Sequence, residues 1–224
     1  MLILAKAVLA FMIGFILSIM FGVFLIPILK KMNIKQSVSI FLTKHKGKEG
    51  TPTMGGLIFI IPTILSVIIL LLLNKLEMTY NLGIVLFVFL AYALLGFIDD
   101  YLIIKRHNNI GLSEIQKLIG QILIAFIFFI LFRAGGREPV LEIYTFNLTI
   151  PLGNFYWLLI LLMLVATTNA VNLTDGLDGL AGGLSAIAFL AFGMIAWASL
   201  GIEGNEDIGV FCFILVGALI AFCF

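Results

Sequence analysis

Long apolar segments alternate with short polar ones along almost the whole chain. A helix that crosses a bilayer needs about 20 mostly apolar residues. Seven segments come close to that length, and each predicts a transmembrane helix. These segments cover residues 2–29, 56–73, 82–104, 115–134, 153–172, 179–200 and 208–224. Residues 139–153, PVLEIYTFNLTIPLG, instead alternate apolar and polar positions and are flanked by proline and glycine. That pattern predicts a short external β-hairpin.

The composition supports a membrane protein. Hydrophobic residues make up 62% of the chain and charged residues 11%, whereas a soluble domain is about half apolar and about a quarter charged. We therefore predict an all-α polytopic membrane protein with one transmembrane domain over residues 1–224. The net charge of +1 and the lack of a basic patch interleaved with aromatic residues give no indication of nucleic-acid binding.

The last apolar segment runs to Phe224 without a following loop or polar tail. A natural membrane protein rarely stops inside a hydrophobic span. We therefore expect the complete protein to be longer, with this chain lacking the C-terminal third of the transmembrane domain.

Lysine and arginine are distributed unevenly between the two sides of the predicted bundle. Cytoplasmic loops of membrane proteins carry an excess of these residues. One side has nine: Lys30, Lys31, Lys35, Lys44, Lys46, Lys48, Lys105, Arg106 and Lys117. The other side has four: Lys6, Lys75, Arg133 and Arg137. The richer side is predicted to be cytoplasmic, which places the N-terminus outside.

Four of the five aspartates fall on the predicted cytoplasmic side: Asp99, Asp100, Asp175 and Asp178. A carboxylate near a membrane span is costly and is usually functional. Two carboxylates about 5 Å apart repel by roughly 3 kcal/mol at an effective dielectric of 20. A hard divalent ion such as Mg²⁺, held with substrate phosphates, would offset that repulsion.

The alternative is that these acids are solvated and have no function. An ion-coupled transporter would instead need acids near the bilayer midplane and inverted repeats.

Groups suited to binding phosphate stand beside these acids. The stretch KGKEGTPTMGG, residues 46–56, provides Lys48 and Thr51 before a glycine-rich helix start, where backbone N–H groups favour anions. In GLSEIQKL, Ser113 is a suitable helix N-cap and Lys117 follows one turn later. Ordinary helix starts and positive-inside lysines account for these two stretches equally well. Asn169 and Asn172 precede Asp175 at three-residue steps, which adds amide groups to the same stripe.

Four motifs, GTPTMGG, GFIDDY, GLSEIQKLIGQ and NAVNLTDGLDGLAGG, occur in this order. Over roughly residues 30–200 the chain closely resembles the bacterial phospho-N-acetylmuramoyl-pentapeptide transferases of the polyprenyl-phosphate hexosamine-1-phosphate transferase superfamily. The resemblance implies transfer of phospho-MurNAc-pentapeptide from its UDP carrier to undecaprenyl phosphate, giving UMP and lipid I for peptidoglycan synthesis. It also implies Mg²⁺ as cofactor, a homodimer with ten transmembrane helices per subunit, and an active site on the cytoplasmic face of the bacterial inner membrane. A GlcNAc-1-phosphate transferase of the same superfamily is the alternative.

The resemblance also implies roles for individual residues. The catalytic group is Asp99, Asp100 and Lys117, with Asp99 acting as a base or as a nucleophile. The substrate-binding group is Lys48, Thr51, Asn169, Asn172, Asp175 and Asp178. The metal ligands are Asp99, Asp100 and Asp175, and the main metal-binding aspartate of the family is expected beyond Phe224. One departure is Ile103, which stands where the family usually has a lysine. Either Lys105 takes over the role of that lysine or the role is lost.

Overall fold

The structure is a computed structural model that describes residues 3–31, 54–106, 111–199 and 204–224. Within these ranges the chain forms seven α-helices and one two-stranded sheet. The helices are α1 (Ile3–Lys31), α2 (Leu57–Leu72), α3 (Tyr80–Arg106), α4 (Glu114–Ala134), α5 (Tyr156–Thr174), α6 (Leu180–Ala198) and α7 (Asn205–Phe222). The strands β1 (Val140–Ile143) and β2 (Leu148–Pro151) lie between α4 and α5.

The predicted all-α membrane architecture is confirmed. Six of the helices are long and apolar enough to cross a membrane, and α2 is a shorter apolar helix of 16 residues. Every observed helix end lies within three residues of the predicted one. Helix α5 begins later than predicted, because Gly153–Phe155 form a separate 3₁₀ turn before it. Helix α3 continues past its predicted end to Lys105 and Arg106, cations that suit the negative end of a helix dipole.

The predicted hairpin is also present. β1 and β2 pair antiparallel, with Leu141 opposite Ile150. Asn147, in the connection between the strands, has a φ of 48°, and asparagine is one of the few non-glycine residues that adopt this left-handed conformation readily. The side of the membrane on which the hairpin lies stays a prediction.

Helix α7 occupies the centre of the bundle. It packs against α1, α2, α3 and α6. Val210, Phe211, Ile214 and Leu215 are at most 2% exposed and form the middle of the hydrophobic core. Phe211 meets Phe89 of α3 edge-on, with ring centroids 5.6 Å apart. The other long helices keep broad apolar faces exposed, as expected for surfaces that contact lipid.

Glycines let α1 and α7 approach each other at backbone distance. Gly14 lies against the carbonyl of Ile214, and Gly217 lies against the carbonyl of Phe11. A Cβ atom at either glycine would overlap the backbone of the partner helix. Small residues at such crossings allow the close packing that holds membrane helices together.

A buried serine connects three helices at this crossing. Ser18 of α1 is 1% exposed. Its Oγ lies 2.9 Å from the carbonyl oxygen of Ile58 in α2 and 3.1 Å from that of Ala218 in α7. The single hydroxyl proton is therefore shared between two carbonyl acceptors, and Ser18 links α1 to both neighbours.

Replacing Ser18 with alanine should destabilise the bundle by about 0.5–1.5 kcal/mol, the usual worth of one hydrogen bond. This change can be measured by thermal unfolding in detergent, with unfolding monitored as the loss of monodisperse protein. Ser199→Ala is the matched control, because the Ser199 hydroxyl bonds locally, to the Ile195 carbonyl one turn earlier. Equal unfolding temperatures for the two variants would show that the link made by Ser18 adds no stability.

The helices alternate in direction, so the polar segments collect at two ends of the bundle. At one end Lys6 of α1 pairs with Glu206 of α7, and Asp207 accepts a hydrogen bond from the Glu77 amide. The opposite end of the bundle contains Asp99 and Asp100.

Candidate functional site

Asp99 is held by groups from the segment that leads into α4. Its Oδ1 accepts a hydrogen bond of 2.7 Å from the Leu112 amide. Its Oδ2 forms an ion pair with Lys117 Nζ at 2.8 Å. A backbone amide and an ammonium group therefore fix the position of the Asp99 carboxylate.

The start of α4 is shaped to bring those partners to Asp99. Ser113 caps the helix and forms a capping box with Gln116, as the sequence predicted for the cap. Gly111 lies so close to Asp99 that a Cβ there would overlap the carboxylate. Arg106 of α3 donates a hydrogen bond of 2.9 Å to the Gly111 carbonyl. Residues 111–113, just before α4, are thereby fixed against the carboxylate.

Asp100 is held from the other side, by the start of α2. Its Oδ2 accepts a hydrogen bond of 3.0 Å from the Met54 amide. Met54 has a φ of 70°, a left-handed conformation that is uncommon outside glycine. The adjacent aspartates therefore face different neighbours, and α2, α3 and α4 meet at the pair. Lys48 and Thr51, predicted beside them, lie outside the described residues.

The two predicted asparagines take different positions. Asn172 of α5 lines the same cavity as Asp99 and Asp100. Asn169 instead donates through Nδ2 to Gln121 Oε1 of α4 at 3.2 Å, and to the Val165 carbonyl of its own helix. Although only three residues apart, the two asparagines therefore have different surroundings. Asn172 lies at the cavity, and Asn169 lies at the contact between α4 and α5.

The DGLDG segment is a turn and not a helix. Asp175 is the C-cap residue of α5, and α6 begins after Gly179, whose φ is 77°. In a helix, residues 175 and 178 would lie on one face. Because the segment is a turn, that spacing argument does not apply to Asp175 and Asp178. Both are exposed, and neither lines the cavity. The role of Asp175 and Asp178 in substrate binding therefore stays a prediction.

A cavity of about 680 Å³ reaches from the aspartate pair into the bundle, between α2, α3, α5 and α6. Its walls are mostly apolar. They are formed by Met54, Gly56, Leu57, Phe59, Ile60, Val88, Phe89, Tyr92, Ala93, Gly96, Phe97, Met163, Leu164, Thr167, Thr168 and Phe189, together with Asp99, Asp100 and Asn172. An apolar cavity with a few polar groups gathered at one point is typical of a small-molecule binding site.

Comparison with known proteins identifies the family and one of the motifs. Residues 82–224, well over half of the chain, match glycosyl transferase family 4. The chain belongs to this family. Residues 48–60 also match the phospho-N-acetylmuramoyl-pentapeptide-transferase signature 1. The resemblance predicted from the four motifs is confirmed.

Individual relatives agree with this family 4 assignment. A phospho-N-acetylmuramoyl-pentapeptide-transferase of Geobacillus sp. (strain WCH70) is 40% identical over 217 residues, which cover 96% of this chain and 65% of the relative. The protein of the same name from Bacillus subtilis (strain 168) is 40% identical over 212 residues, covering 94% of this chain and 64% of the relative. The chain thus spans a little under two thirds of the length of these relatives.

The candidate site includes groups that sequence reasoning missed. Tyr92 and Gly96 line the cavity at positions eight and four residues before Asp100, and that helical stripe was readable from the sequence. Gln121, the partner of Asn169, follows Lys117 by one turn. The Met54 amide carried no such signal, because its approach to Asp100 depends on how α2 packs against α3.

The donor set suits a hard cation that is shared with a substrate. Asp99, Asp100 and Asn172 bring two carboxylates and an amide oxygen to one cavity, and Mg²⁺ is commonly held by one or two carboxylates plus substrate phosphates. Among the residues that the structure describes, no three His, Cys, Asp or Glu side chains form a group that could hold a metal alone. A metal held by the carboxylates and amide described here would need further ligands, a role that phosphate oxygens of a substrate could fill. The predicted metal ligand Asp175 does not line this cavity.

Proposed function

We propose that this family 4 protein transfers phospho-MurNAc-pentapeptide from UDP-MurNAc-pentapeptide to undecaprenyl phosphate, giving lipid I and UMP. Two comparisons support the substrate: the transferase signature at residues 48–60 and relatives of that name at about 40% identity over most of the chain. The observation that carries the proposal is the aspartate pair, held by α2 and α4 at one end of an apolar cavity. A charged centre beside an apolar cavity suits a reaction between a nucleotide and a lipid phosphate.

The proposed reaction is a displacement at phosphorus. An oxygen of the lipid phosphate attacks the β-phosphorus of the nucleotide sugar, the bond from that phosphorus to the bridging oxygen breaks, and UMP leaves. Catalysis of phosphoryl transfer comes mainly from positioning and from neutralising charge. Asp99 takes the residual proton of the lipid phosphate, and Lys117, 2.8 Å from Asp99, attracts the anionic substrates. Asp100, fixed by the Met54 amide, presents a second carboxylate to the same cavity.

Mg²⁺ is part of this proposal. Asp99, Asp100 and Asn172 are the described residues that would hold it, together with phosphate oxygens of the substrates. When bound, it offsets the negative charge of the diphosphate and stabilises the leaving phosphate. The ion pair with Lys117 limits how strongly Asp99 can bind a cation, so we assign Asp100 the larger share of the protein ligation.

The position of the site in the bundle suits the two substrates. The lipid phosphate arrives within the bilayer and the nucleotide from water, so the reaction requires a site near the membrane surface. Asp99 and Asp100 lie in the last two turns of α3, close to Lys105 and Arg106. We propose that this end faces the cytoplasm of a bacterial inner membrane, that the N-terminus lies outside, and that the protein acts as a homodimer.

Release of UMP by the full-length protein, in membranes or detergent, tests this function. We expect Mg²⁺-dependent release from UDP-MurNAc-pentapeptide when undecaprenyl phosphate is present, and loss of release when EDTA removes the metal. UDP-GlcNAc serves as the matched donor, because it carries the same diphosphate and differs in the sugar and peptide. No release would contradict the transferase, and equal turnover of UDP-GlcNAc would favour the GlcNAc-1-phosphate transferase instead.

A further inference from the structure

A hydrogen bond between two side-chain amides links α4 to α5. Asn169 Nδ2 donates to Gln121 Oε1 at 3.2 Å and to the Val165 carbonyl of its own helix at 2.8 Å. An amide nitrogen carries two hydrogens and a backbone carbonyl can only accept, so both hydrogens of Asn169 have an acceptor and the orientation of its side chain is set. Gln121 is 8% exposed, and the bond therefore lies in a buried part of the contact between the two helices.

Stability alone does not account for this bond. A buried amide costs free energy unless it is paired, and hydrogen bonds between membrane helices contribute little stability on average. Apolar side chains at both positions would avoid that cost. The bond also joins two of the sequence motifs, because Gln121 ends the one that contains Lys117 and Asn169 begins the one that contains Asn172. It therefore connects two segments that each supply a group to the candidate site.

The place of α5 in the bundle depends mainly on α4. Within the described residues, α5 packs most extensively against α4 and to a smaller extent against α6. Asn172 of α5 nevertheless lines the same cavity as Asp99 of α3. Helix α4 is itself fixed to α3 by the ion pair between Lys117 and Asp99. The connection from α3 to α5 therefore runs through α4, and the bond from Gln121 to Asn169 completes it.

We infer that Gln121 and Asn169 are a positioning pair for the transfer reaction. Their hydrogen bond sets α5 against α4 and so holds Asn172 at its place beside the aspartates of α3. Neither Gln121 nor Asn169 is among the described residues that line the cavity, so the pair acts through Asn172. This inference rests on the function proposed above. It gives Asn169 an indirect role in place of the direct substrate contact that the resemblance implies.

Gln121→Met tests the pair, because methionine has a similar length and shape but no acceptor for Asn169. Misplacing a reacting group by about 1 Å can slow a reaction about a hundredfold, and in the full-length protein we expect kcat to fall at least about tenfold. The KM for each substrate should change less than about threefold, because the loss falls on the transition state and not on binding. Initial rates of UMP release over a range of both substrates measure these constants.

Ser18→Ala is the matched control for a purely structural effect. The bonds that it removes join α1 to α2 and α7, and they leave the contact between α4 and α5 intact. It should lower the unfolding temperature in detergent, with kcat within about twofold of the wild type, as expected for a distant site. A fall in kcat that matches that of Gln121→Met would show that any weakened helix contact slows the protein, and would contradict a positioning role.

Two double-mutant cycles test how the pair acts. Gln121→Met combined with Asn169→Leu should have a kcat within about threefold of the slower single variant, because both changes break one bond. Asn169 is exposed, so a direct contact with substrate is the alternative, and in that case the two losses should multiply. In an Asn172→Ala background, Gln121→Met should lower kcat by less than about threefold, because the residue through which it acts is already lost.

An exchange of the two side chains covers the case in which Gln121→Met does not fold. Gln121→Asn keeps an amide at the buried position but shortens it by one CH₂ group, which draws its oxygen away from Asn169. Adding Asn169→Gln lengthens the partner by the same CH₂ group. We expect the single change to lower kcat and the exchanged pair to recover at least about threefold of the loss, as for residues in direct contact. An exchanged pair as slow as the product of the two single losses would contradict the proposal.

The outcomes separate this inference from the proposed function. If the wild-type protein releases no UMP from any nucleotide sugar, the transferase proposal fails and the positioning pair fails with it. If the wild type turns over but Gln121→Met keeps the wild-type kcat, or if the losses multiply in either cycle, the positioning pair fails alone and the transferase proposal stands.

Discussion

Replacing Asp99 with asparagine should lower the rate of transfer at least about a hundredfold, the scale of removing one key charge-handling group. Asparagine keeps an oxygen that can accept from the Leu112 amide, but it abolishes the ion pair with Lys117 and cannot take a proton from the lipid phosphate. The change is nearly isosteric, so the fold should survive. Initial rates of UMP release, with both substrates saturating, measure the effect.

Asp207→Asn is the matched control for this variant. Asp207 lies at the opposite end of the bundle, where its Oδ1 accepts from the Glu77 amide, and an asparagine oxygen can make the same bond. We expect its activity to stay within about twofold of the wild type, as for surface changes that remove no interaction. Near-full activity in Asp99→Asn would remove Asp99 from the chemistry, and equal losses in both variants would indicate a general effect on folding.

The second large effect is on stability, at the crossing of α1 and α7. Gly217→Ala adds one methyl group at the point where the Phe11 carbonyl lies against the helix. At a helix position where the added methyl group meets no neighbouring atom, replacing glycine with alanine stabilises the protein by about 0.5–1 kcal/mol. Here the sign should reverse, because overpacking of a tight contact costs about 1–3 kcal/mol or more. We expect a lowered unfolding temperature and a lower yield of monodisperse protein in detergent.

Gly83→Ala provides the comparison, because its added Cβ meets no atom within 4 Å. It should unfold at the wild-type temperature or slightly above. Since the two substitutions have the same intrinsic effect on a helix, any difference between them reports the packing alone. An unfolding temperature for Gly217→Ala at or above that of Gly83→Ala would refute the close approach of the two helices.

The positions of the helices could be predicted from the sequence because the bilayer imposes a length and an apolar composition on every span. The hairpin was also predictable, because apolar and polar residues alternate with a period of two in a stretch flanked by proline and glycine. That pattern is typical of two short paired strands. The central place of α7 was not predictable in this way. Its sequence is as apolar as that of its neighbours, and only the contacts made at Gly217, Phe211 and Ile214 distinguish a buried helix from one that faces lipid.

The candidate site was predictable where chemistry and sequence spacing coincide. Asp99, Asp100 and Lys117 stood out as charges beside apolar segments, and the structure brings all three together. Helical spacing carries no information where the backbone leaves the helix, as in the turn that contains Asp175 and Asp178. The contact between the Met54 amide and Asp100 joins residues 46 positions apart, and no local pattern encodes such a contact.

The central claim is that the aspartate pair catalyses transfer to a lipid phosphate, and the identity of the lipid product tests it most directly. The full-length protein would be incubated with UDP-MurNAc-pentapeptide, undecaprenyl phosphate and Mg²⁺, and the lipid fraction analysed by mass spectrometry beside a measurement of UMP. We predict undecaprenyl diphospho-MurNAc-pentapeptide in equal amount to the UMP released, and an initial rate of formation of both products that is at least about a hundredfold lower in Asp99→Asn. Release of UMP without a lipid-linked product, or a lipid product undiminished in Asp99→Asn, would contradict the claim.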